Sequence, residues 1–342
     1  MDGGSTRREF LQNTAAALTA AAIPDVHARG EETLQVALIG TGGRGTGAAE
    51  DALNTSKKGP IKLVALADLF AERLKESYTY LSGSAVQKQI DVPEDRRFLG
   101  FDSYKKAMDC LKPGDIAILA TPPAFRWVHF AYAIRKGLHV FMEKPLTVDG
   151  PTSLRMLKLG EESERKNLKV GVGLMTRHCR GRMQLADRIR SGEIGDIITL
   201  RAFRMQGPST HCFAKPRPES ISELRYQIQK FHSFMWSGGG LFSDFYIHQI
   251  DECCWMKGAW PVKTQAVGGR HYRDEAIDQN FDSYSVEYTF ADGTKFFYQG
   301  RTMKNCRGDY SSVADGSKGS AIITTDRATP GRSRTFKGHS LS

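Results

Sequence analysis

The sequence predicts an α/β protein of two domains, a doubly wound parallel sheet followed by an α+β domain with a mostly antiparallel open sheet. Two observations lead to this prediction. Apolar strands alternate with helical segments from residue 34 to residue 145, which is the pattern of βαβ units. Short strands follow residue 262, and two of them alternate clearly between apolar and polar residues. We predict domains at residues 29–148 and 149–342, after a leader of residues 1–28.

The composition is ordinary for a globular protein with more than one core. The chain has 342 residues, of which 40% are hydrophobic and 25% are charged, and a single core rarely grows to this size. It contains no run of about 18 apolar residues, so we expect no membrane span in the mature form. The six cysteines show neither a CxxC nor a zinc-type spacing, so we predict no metal site.

The chain is basic, with a formal net charge of +10. Basic proteins often bind nucleic acid or another anionic partner. Here the lysines and arginines are scattered along the chain, and no nucleic-acid motif is present. We therefore expect a solvated basic surface and no nucleic-acid partner, with an acidic sugar substrate as the alternative.

The leader has the features of an export signal. Residues 5–12 read STRREFLQ, an Ala-rich run extends to Ile23, and Val26-His27-Ala28 offers a small-residue cleavage site. This arrangement resembles a twin-arginine signal, and an amphipathic tail is the alternative. We expect export by the twin-arginine route to the periplasm or another extracytoplasmic space.

The first strand of the predicted parallel sheet covers residues 34–39 and runs directly into a glycine-rich turn. The turn fits G-x-G-x-x-G, and residues 48–53 after it favour a helix. This order is typical of a Rossmann dinucleotide-binding domain, in which the glycines allow a tight turn and close approach of the phosphates. The helix N-terminus adds free N–H groups. A turn without a ligand is the alternative, and the flanking strand and helix favour binding by Gly40, Thr41, Gly42, Gly43, Arg44 and Gly45.

The second strand, at residues 61–68, ends in an acidic residue. Asp68 lies 23 residues beyond Gly45, where a carboxylate accepts hydrogen bonds from the adenosine ribose and repels a 2′-phosphate. Leu69 and Phe70 follow it, so no cation stands next to it. We expect NAD as the cofactor, with NADP as the alternative; a plain helix cap is the other interpretation of Asp68.

Further elements complete the predicted parallel sheet. Helices are predicted at residues 70–81, 101–111 and 124–136, strands at 115–120 and 138–142, and a loop at 82–97. The two strands end in Thr121-Pro122-Pro123 and in Glu143-Lys144-Pro145. Ligands of such sheets bind at the carboxyl ends of the strands.

These motifs together resemble the glucose–fructose oxidoreductase / inositol dehydrogenase / MocA (Gfo/Idh/MocA) family. The most specific of them is G-x-H-V-x-x-E-K-P, which ends at Pro145. The resemblance implies that Lys144 is the catalytic lysine and that Glu143, Thr121 and Pro122 contact the cofactor; a surface lysine before a turn is the alternative for Lys144. Family members often carry a histidine five residues beyond the threonine. Here Arg126 occupies that place, and His129 lies one turn later.

The second half begins with a helix at residues 152–166 and a strand at 167–174, followed by Met175-Thr176-Arg177-His178. In the resembled family the equivalent strand end faces the substrate. Arg177 and His178 are therefore candidate ligands of a sugar or a carboxylate, or they cap the helix predicted at residues 180–191. A turn at residues 192–196 leads into a strand at 197–205.

A second decisive motif is D-x-x-x-H, formed by Asp244 and His248. A helix places these two residues on one face, together with Asp251. The resemblance implies that His248 is the general base for the substrate hydroxyl and that Asp244 orients or assists it. A histidine titrates near neutrality, and a carboxylate one turn away supports its charge. A helix histidine beside a capping acid is the alternative, and the upstream E-K-P favours the catalytic interpretation.

The remaining chain predicts the open sheet. The region 207–229 reads as a loop with room for one helix, and strands are predicted at residues 262–272, 281–290, 294–302 and 320–325. The resemblance runs from about residue 34 to residue 325 and implies a homo-oligomer, because one face of this sheet commonly forms a dimer interface in the family. The family usually continues with further strands and a helix, so a truncated C-terminus is also expected.

Three functions are compatible with these features. The first is an NAD(P)-dependent oxidoreductase that acts on a CH–OH group of a sugar or polyol. The second is an NAD-dependent glycosidase that works by transient oxidation and elimination, and the third is a non-catalytic sugar or nucleotide sensor. Free nicotinamide nucleotide is not expected outside the cytoplasm, so an exported enzyme would have to regenerate its bound cofactor in place.

Overall fold

The computed structural model describes residues 32–271, 275–325 and 332–338. The predicted leader at residues 1–28 lies outside this range. Within it, none of the helices is long and apolar enough to cross a bilayer. The described chain forms two sheets, one of six and one of seven strands, and each is covered by helices that come from its own part of the chain.

The first sheet is fully parallel, with the strand order β3-β2-β1-β4-β5-β6. Its central strand β1 is an apolar segment whose last four residues are buried, as expected for a strand covered by helices on both faces. The strands are β1 (Leu34–Ile39), β2 (Ile61–Asp68), β3 (Arg97–Leu99), β4 (Ile116–Leu119), β5 (His139–Met142) and β6 (Val170–Val172).

Five helices connect these strands. They are α1 (Gly43–Leu53), α2 (Ala71–Ser82), α3 (Ser103–Asp109), α4 (Arg126–Arg135) and α5 (Gly150–Arg165). The crossover of α5 returns the chain to the same sheet, so β6 pairs with β5 in parallel. The parallel sheet therefore extends to Val172, beyond the boundary predicted at residue 148. The short β3 likewise falls at the end of a region predicted as loop, because three residues are too few to show a period.

The second sheet is mostly antiparallel, with the strand order β13-β12-β11-β7-β10-β9-β8. The pair β7–β10 is parallel, and the other five pairs are antiparallel. The strands are β7 (Ile197–Gln206), β8 (Lys263–Gly269), β9 (Ser283–Thr289), β10 (Lys295–Thr302), β11 (Asp309–Gly316), β12 (Gly319–Thr324) and β13 (Arg334–Lys337). The predicted fold class, a Rossmann-type sheet followed by a mostly antiparallel one, is confirmed.

Four helices accompany the second sheet, namely α6 (Arg180–Arg190), α7 (Glu223–Gln229), the single turn α8 (Met235–Gly238) and α9 (Ile247–Lys257). A π-helical turn at Phe242–Tyr246 leads directly into α9. Helix α9 packs against β7 and β11, so the residues at its start point toward the first sheet.

Two strands of this sheet were not predicted. Strand β11 reads DYSSVADG, in which polar and small residues hide the alternation of buried positions. Strand β13 lies beyond residue 325, where the resemblance was expected to end, and it pairs with β12 over four residues. Backbone pairing to an existing edge forms these strands, and a single sequence does not reveal it.

A buried ion pair fixes α9 to its surroundings. Arg182 Nε donates to Glu252 Oε2 at 3.0 Å, and both side chains are almost fully buried. The Glu252 carboxylate also accepts hydrogen bonds from Ser312 Oγ at 2.6 Å and Thr324 Oγ1 at 3.0 Å. The Glu252 carboxylate therefore joins helices α6 and α9 to strands β11 and β12. Its hydrogen bonds offset the free-energy cost of burying the charge.

Candidate functional site

A cleft of about 1030 Å³ lies at the carboxyl ends of strands β1, β2, β4 and β5. Its walls come from both halves of the chain. One half contributes the glycine turn and the ends of the parallel strands, and the other contributes Phe231, His232, Asp244 and His248. A cleft of this size at this edge is where parallel α/β sheets bind their ligands.

The glycine turn at the start of α1 has the space that a diphosphate needs. Gly40 has φ of +92°, and a Cβ at Gly45 would lie 1.9 Å from the Gly40 carbonyl oxygen. These two positions therefore require glycine for the turn and for the close approach of helix and strand. A Cβ at Gly42 or Gly43 would meet no described atom within 4 Å. The surface above these residues is open, and the first turn of α1 has no side-chain cap in the described chain.

Asp68 holds the glycine turn against the end of β2. Its Oδ2 accepts from the Thr41 N–H at 2.6 Å and from Thr41 Oγ1 at 3.0 Å, and its Oδ1 accepts from the Phe70 N–H at 3.0 Å. The side chain lines the cleft. A dinucleotide seated on the turn would place its ribose beside this carboxylate, so the residues present fit the predicted cofactor.

Arg44 and Glu143 connect the glycine turn with the E-K-P segment. Arg44 Nε donates to Glu143 Oε1 at 2.7 Å. Glu143 packs against Gly173, where a Cβ would come within 2.5 Å of its Oε2. This contact closes one side of the cleft between the two predicted ends of the cofactor.

Arg126 and His129 lie beneath the Thr121-Pro122 segment. Arg126 is fully buried and donates from Nη2 to the Thr121 carbonyl at 2.6 Å and from Nη1 to the Leu119 carbonyl. Burial lowers the pKa of Arg126 to about 10, although the carboxylates of Glu143 and Asp244 act against this shift. His129 Nδ1 lies 3.1 Å from Thr121 Oγ1, and burial followed by the charge of Arg126 lowers its pKa to about 3.

Lys144 and Asp244 meet across the cleft. Lys144 Nζ donates to the Asp244 carbonyl at 2.5 Å and to Asp244 Oδ1 at 2.8 Å. Asp244 belongs to the π-helical turn, whose wider backbone spacing leaves this carbonyl available to a side chain. The residues of the two predicted motifs are therefore in direct contact, although 100 positions separate them.

His248 lines the same cleft one turn after Asp244. It is 8% exposed, and burial followed by the charge of Lys144 lowers its pKa to about 3. At neutral pH this imidazole is uncharged, which is the state that a general base needs.

Two further histidines lie beside Asp244 that the sequence did not single out. His232 Nε2 is 3.2 Å from Asp244 Oδ2, and the ring of His211 contacts that of His232 with centroids 5.7 Å apart. Both come from the part of the chain between β7 and the π-helical turn. That region shows neither helical nor strand periodicity, and only a count of its histidines could have drawn attention to it.

Several buried polar atoms around Asp244 have no hydrogen-bond partner within the described chain. They are Asp244 Oδ2, His211 Nδ1, His232 Nδ1 and His248 Nδ1. Buried polar groups are nearly always paired in proteins, so such a group of atoms around one cleft indicates a ligand that supplies the partners. A molecule with several hydroxyl groups is suited to do so, because each hydroxyl both donates and accepts.

The other predicted substrate residues separate in the structure. His178 lines the cleft, at the end of the short turn Met175–His178. Arg177 does not line it and instead forms a two-pronged ion pair with Asp251, from Nε at 2.9 Å to Oδ2 and from Nη2 at 2.9 Å to Oδ1. Asp251 was expected to share the face of Asp244 and His248, but it pairs with Arg177 and is not among the residues that line the cleft.

Comparison with known proteins gives the same division of the chain. Residues 34–174 match the model of an oxidoreductase family with an NAD-binding Rossmann fold. Residues 183–322 match the model of the GFO/IDH/MocA C-terminal domain. The first model covers all six strands of the parallel sheet, and the second covers the other sheet as far as β12.

Individual relatives are distant. The chain is 23% identical over 197 residues to the rhizopine catabolism protein MocA of Rhizobium meliloti, which covers 57% of this chain and 55% of that protein. It is 31% identical over 227 residues to the inositol 2-dehydrogenase/D-chiro-inositol 3-dehydrogenase of Halalkalibacterium halodurans, which covers 66% of this chain and 53% of that protein. The chain thus spans about half the length of these curated relatives.

Solved structures share the fold at low identity. The myo-inositol 2-dehydrogenase of Lactobacillus plantarum is 22% identical, with a TM-score of 0.65 over 85% of this chain and 76% of that one. The WlbA dehydrogenase of Bordetella pertussis, solved with NADH and UDP-GlcNAcA, is 15% identical, with a TM-score of 0.67 over 90% of this chain and 83% of that one.

Proposed function

Because this chain belongs to the Gfo/Idh/MocA family of oxidoreductases, we propose that it is an NAD-dependent oxidoreductase that acts on a hydroxyl group of a sugar or polyol. The strongest support is that Lys144 Nζ donates to the backbone carbonyl and to Oδ1 of Asp244, beside an uncharged His248. This arrangement combines a cation, a carboxylate and a neutral base at the end of a dinucleotide cleft.

The described residues are suited to hold NAD along the cleft. The amides at the start of α1 would bind the diphosphate and Asp68 would accept from the adenosine ribose. Glu143, held by Arg44, lines the same cleft. When bound, the nicotinamide supplies the acceptor for a hydride.

Three side chains of this protein bind the substrate hydroxyl and remove its proton. Lys144 donates a hydrogen bond to the hydroxyl and fixes its oxygen, while Asp244 keeps the ammonium in place. His248 removes the hydroxyl proton as the C–H bond breaks. Its imidazole is uncharged at neutral pH, because burial and the charge of Lys144 lower its pKa. The aromatic rings of Phe231 and Phe245 line the same end of the cleft and offer apolar faces to the C–H groups of a sugar ring.

A substrate screen tests this proposal. Purified protein is mixed with sugars, polyols and glycosides while absorbance at the nicotinamide band is followed and products are separated. A hydroxyl-dependent rise in reduced nicotinamide supports the oxidoreductase. Cleavage of a glycoside with no net change at this band would assign the protein instead as an NAD-dependent glycosidase, and binding without either reaction would assign a sensor.

Replacement of the proposed base tests the assignment of residues. We predict that His248→Ala lowers kcat by about 100-fold or more, the range typical for loss of general base catalysis, while the amount of bound NAD stays the same. Turnover and dinucleotide content of wild type and variant are compared. An unchanged kcat would remove His248 from the mechanism.

We further propose a preference for NAD over NADP, supported by the carboxylate of Asp68 in the cleft. Asp68→Ala is expected to weaken this preference, because the charge that repels a 2′-phosphate is lost. Affinities for the two dinucleotides are measured by fluorescence titration. If the ratio of the two affinities does not change in the variant, Asp68 has no part in the choice.

Export and self-association are proposals that rest on other features. The arginine pair Arg7-Arg8 supports twin-arginine export, and recovery of full-length tagged protein only in the cytoplasm would contradict it. The outer face of the second sheet supports a homo-oligomer, because Val267 and Phe297 are 74% and 43% exposed there. A monomeric mass by light scattering would contradict that proposal.

A further inference from the structure

Asp244 is flanked by two groups rather than one. Its Oδ1 accepts from Lys144 Nζ at 2.8 Å, and on the other side its Oδ2 is 3.2 Å from His232 Nε2. The proposed catalytic roles use the first contact and leave the second without a function. The two atoms do not form a hydrogen bond here, since Asp244 Oδ2 has no hydrogen-bond partner in the described chain. An imidazole this close to a carboxylate can nevertheless accept a proton from it.

His232 is held firmly in this position. Its ring lies against Phe231 with centroids 3.8 Å apart and contacts Phe245 at 5.8 Å. Asn280 Nδ2 donates to its backbone carbonyl at 2.9 Å. Besides burial, the charges of Asp244, His211, Lys144 and Arg73 act on its pKa. Neither the packing nor the backbone contact needs an imidazole, so the ring nitrogens are free for another purpose.

Asp244, His232 and His211 form a series of groups that leads away from the buried end of the cleft. The side chain of Asp244 is 7% exposed and that of His232 is 14% exposed. The ring of His211 follows with its centroid 5.7 Å from that of His232, a separation that one water molecule can bridge. Nδ1 of each of these histidines has no partner in the described chain.

Oxidation of a hydroxyl requires a route by which a proton leaves the site. The hydroxyl loses a hydride and a proton, and the proton passes to protein groups that are shielded from water. His248 is 8% exposed, so a proton that it takes up is held away from bulk solvent. The proton must therefore move on to solvent before the next turnover.

We infer that Asp244, His232 and His211 form a proton path from the substrate hydroxyl to the outer part of the cleft, an inference that rests on the proposed oxidation of a hydroxyl. The O–H bond of the substrate breaks, and its proton reaches Asp244 Oδ2 by way of His248. His232 accepts it at Nε2 while the proton on Nδ1 leaves toward a water molecule and His211. In the direction of reduction the same groups return one proton to the new hydroxyl.

Replacement of His232 tests the path by a measurement that a structural role does not affect. In single-turnover experiments on the protein loaded with NAD, reduction is followed at the nicotinamide band and proton release by a pH indicator dye. The two events coincide in wild type. In His232→Gln we expect release to lag behind reduction by about tenfold, steady-state kcat to fall by a similar factor, and added imidazole to restore both.

Two companion variants make the result interpretable. His211→Gln is expected to show a smaller lag, because water can replace the outer group, and His271→Gln, an exposed residue outside the cleft, is expected to behave as wild type. Simultaneous release and reduction in His232→Gln would overturn the path, and so would a loss that imidazole does not restore. Wild type that reduces its NAD with no hydroxyl compound would overturn the proposed function instead. Melting temperature and bound dinucleotide are recorded to establish that each variant is folded.

Discussion

At the scale of single residues, the cleft depends on imidazoles that are kept uncharged. His129, His232 and His248 are each largely buried and each near a cation. Burial is the main cause that lowers the pKa of His129 and His248 to about 3 and that of His232 to about 4. Charging any of them inside the cleft costs free energy that the unfolded chain does not pay.

This cost predicts a loss of stability in acid. An unfolded histidine takes up its proton near pH 6.5, whereas these three stay neutral when folded, so their contribution is complete above that pH and is lost as the pH falls toward 4. We expect the free energy of unfolding to decrease by on the order of 1–2 kcal/mol per histidine between about pH 7 and about pH 5. Urea unfolding of wild type and His129→Phe at both pH values checks this.

In His129→Phe, the change in the free energy of unfolding between the two pH values should be smaller by the contribution of one histidine. The exposed His271 offers a matched control, since His271→Gln should keep the full dependence. Equal stability of the wild-type protein at the two pH values would contradict the prediction.

At the scale of elements, the π-helical turn at Phe242–Tyr246 is the feature that builds the site. A π turn changes the hydrogen-bond pattern of its backbone carbonyls. Here two of these carbonyls accept hydrogen bonds from cationic side chains. Lys144 Nζ binds the carbonyl of Asp244 at 2.5 Å, and Arg204 Nη1 binds that of Phe245 at 2.9 Å. Arg204 comes from β7, so the sheet supports the turn from behind.

Removal of that support should damage stability and turnover together. Arg204→Met removes the charged hydrogen bond from Nη1 to the Phe245 carbonyl, a type of bond worth about 1.5–3 kcal/mol, and with it the support that keeps Asp244 beside Lys144. We expect a lower free energy of unfolding and a reduced kcat. Arg201→Met on the same strand is the control, because Arg201 is half exposed and pairs only with Asp315 at the surface, where a pair is worth about 0–1 kcal/mol. Equal effects of the two substitutions would contradict a special role of the turn.

The elements differ in how far the sequence predicts them. Strands β1 and β2 were predicted with the bounds that the structure has, because continuous apolar segments flanked by glycine or acid leave little choice. The π-helical turn was not predicted, since its residues also fit an ordinary helix. It is stabilised by Lys144, which follows β5, and by Arg204 of β7, and contacts so distant in sequence leave no local pattern.

At the scale of the molecule, α7 of the second half covers the cleft near Asp68. Arg73 Nη2 donates to the Gln229 carbonyl at 3.3 Å, and Arg225 Nη2 donates to the Leu69 carbonyl at 3.2 Å. Both guanidinium groups face the ring of Phe70, at 4.8 Å and 5.0 Å. The two halves are thus joined on the side where the adenosine of a dinucleotide would lie.

This cover should slow release of the cofactor. We predict that Arg73→Ala combined with Arg225→Ala raises the dissociation rate of NADH by on the order of tenfold, because two hydrogen bonds worth about 1 kcal/mol each are lost. Release is followed by the change in NADH fluorescence after mixing with excess NAD. Arg217→Ala is the control, since Arg217 pairs with Glu223 within the same half. A dissociation rate equal to that of the control would show that α7 does not retain the cofactor.

The sequence also predicted part of the site as a whole. The glycine turn, Asp68, Lys144 and the Asp244–His248 pair carry recognisable spacings, and the structure brings them to one cleft. The positions of His211 and His232 follow from how the chain between β7 and β8 is folded, and Arg177 turns toward Asp251 in the segment between β6 and β7. No local sequence pattern predicts these positions.

The segment that joins the two sheets has a consequence for how ligands enter. Residues 173–178 follow β6 directly, and Gly173, Met175 and His178 from this segment line the cleft. The connection between the two halves is therefore also a wall of the binding space, so a large rotation of one half against the other would deform the surface on which a ligand rests. For this reason we expect ligands to be exchanged at the rim beside α7, with the two sheets fixed in place.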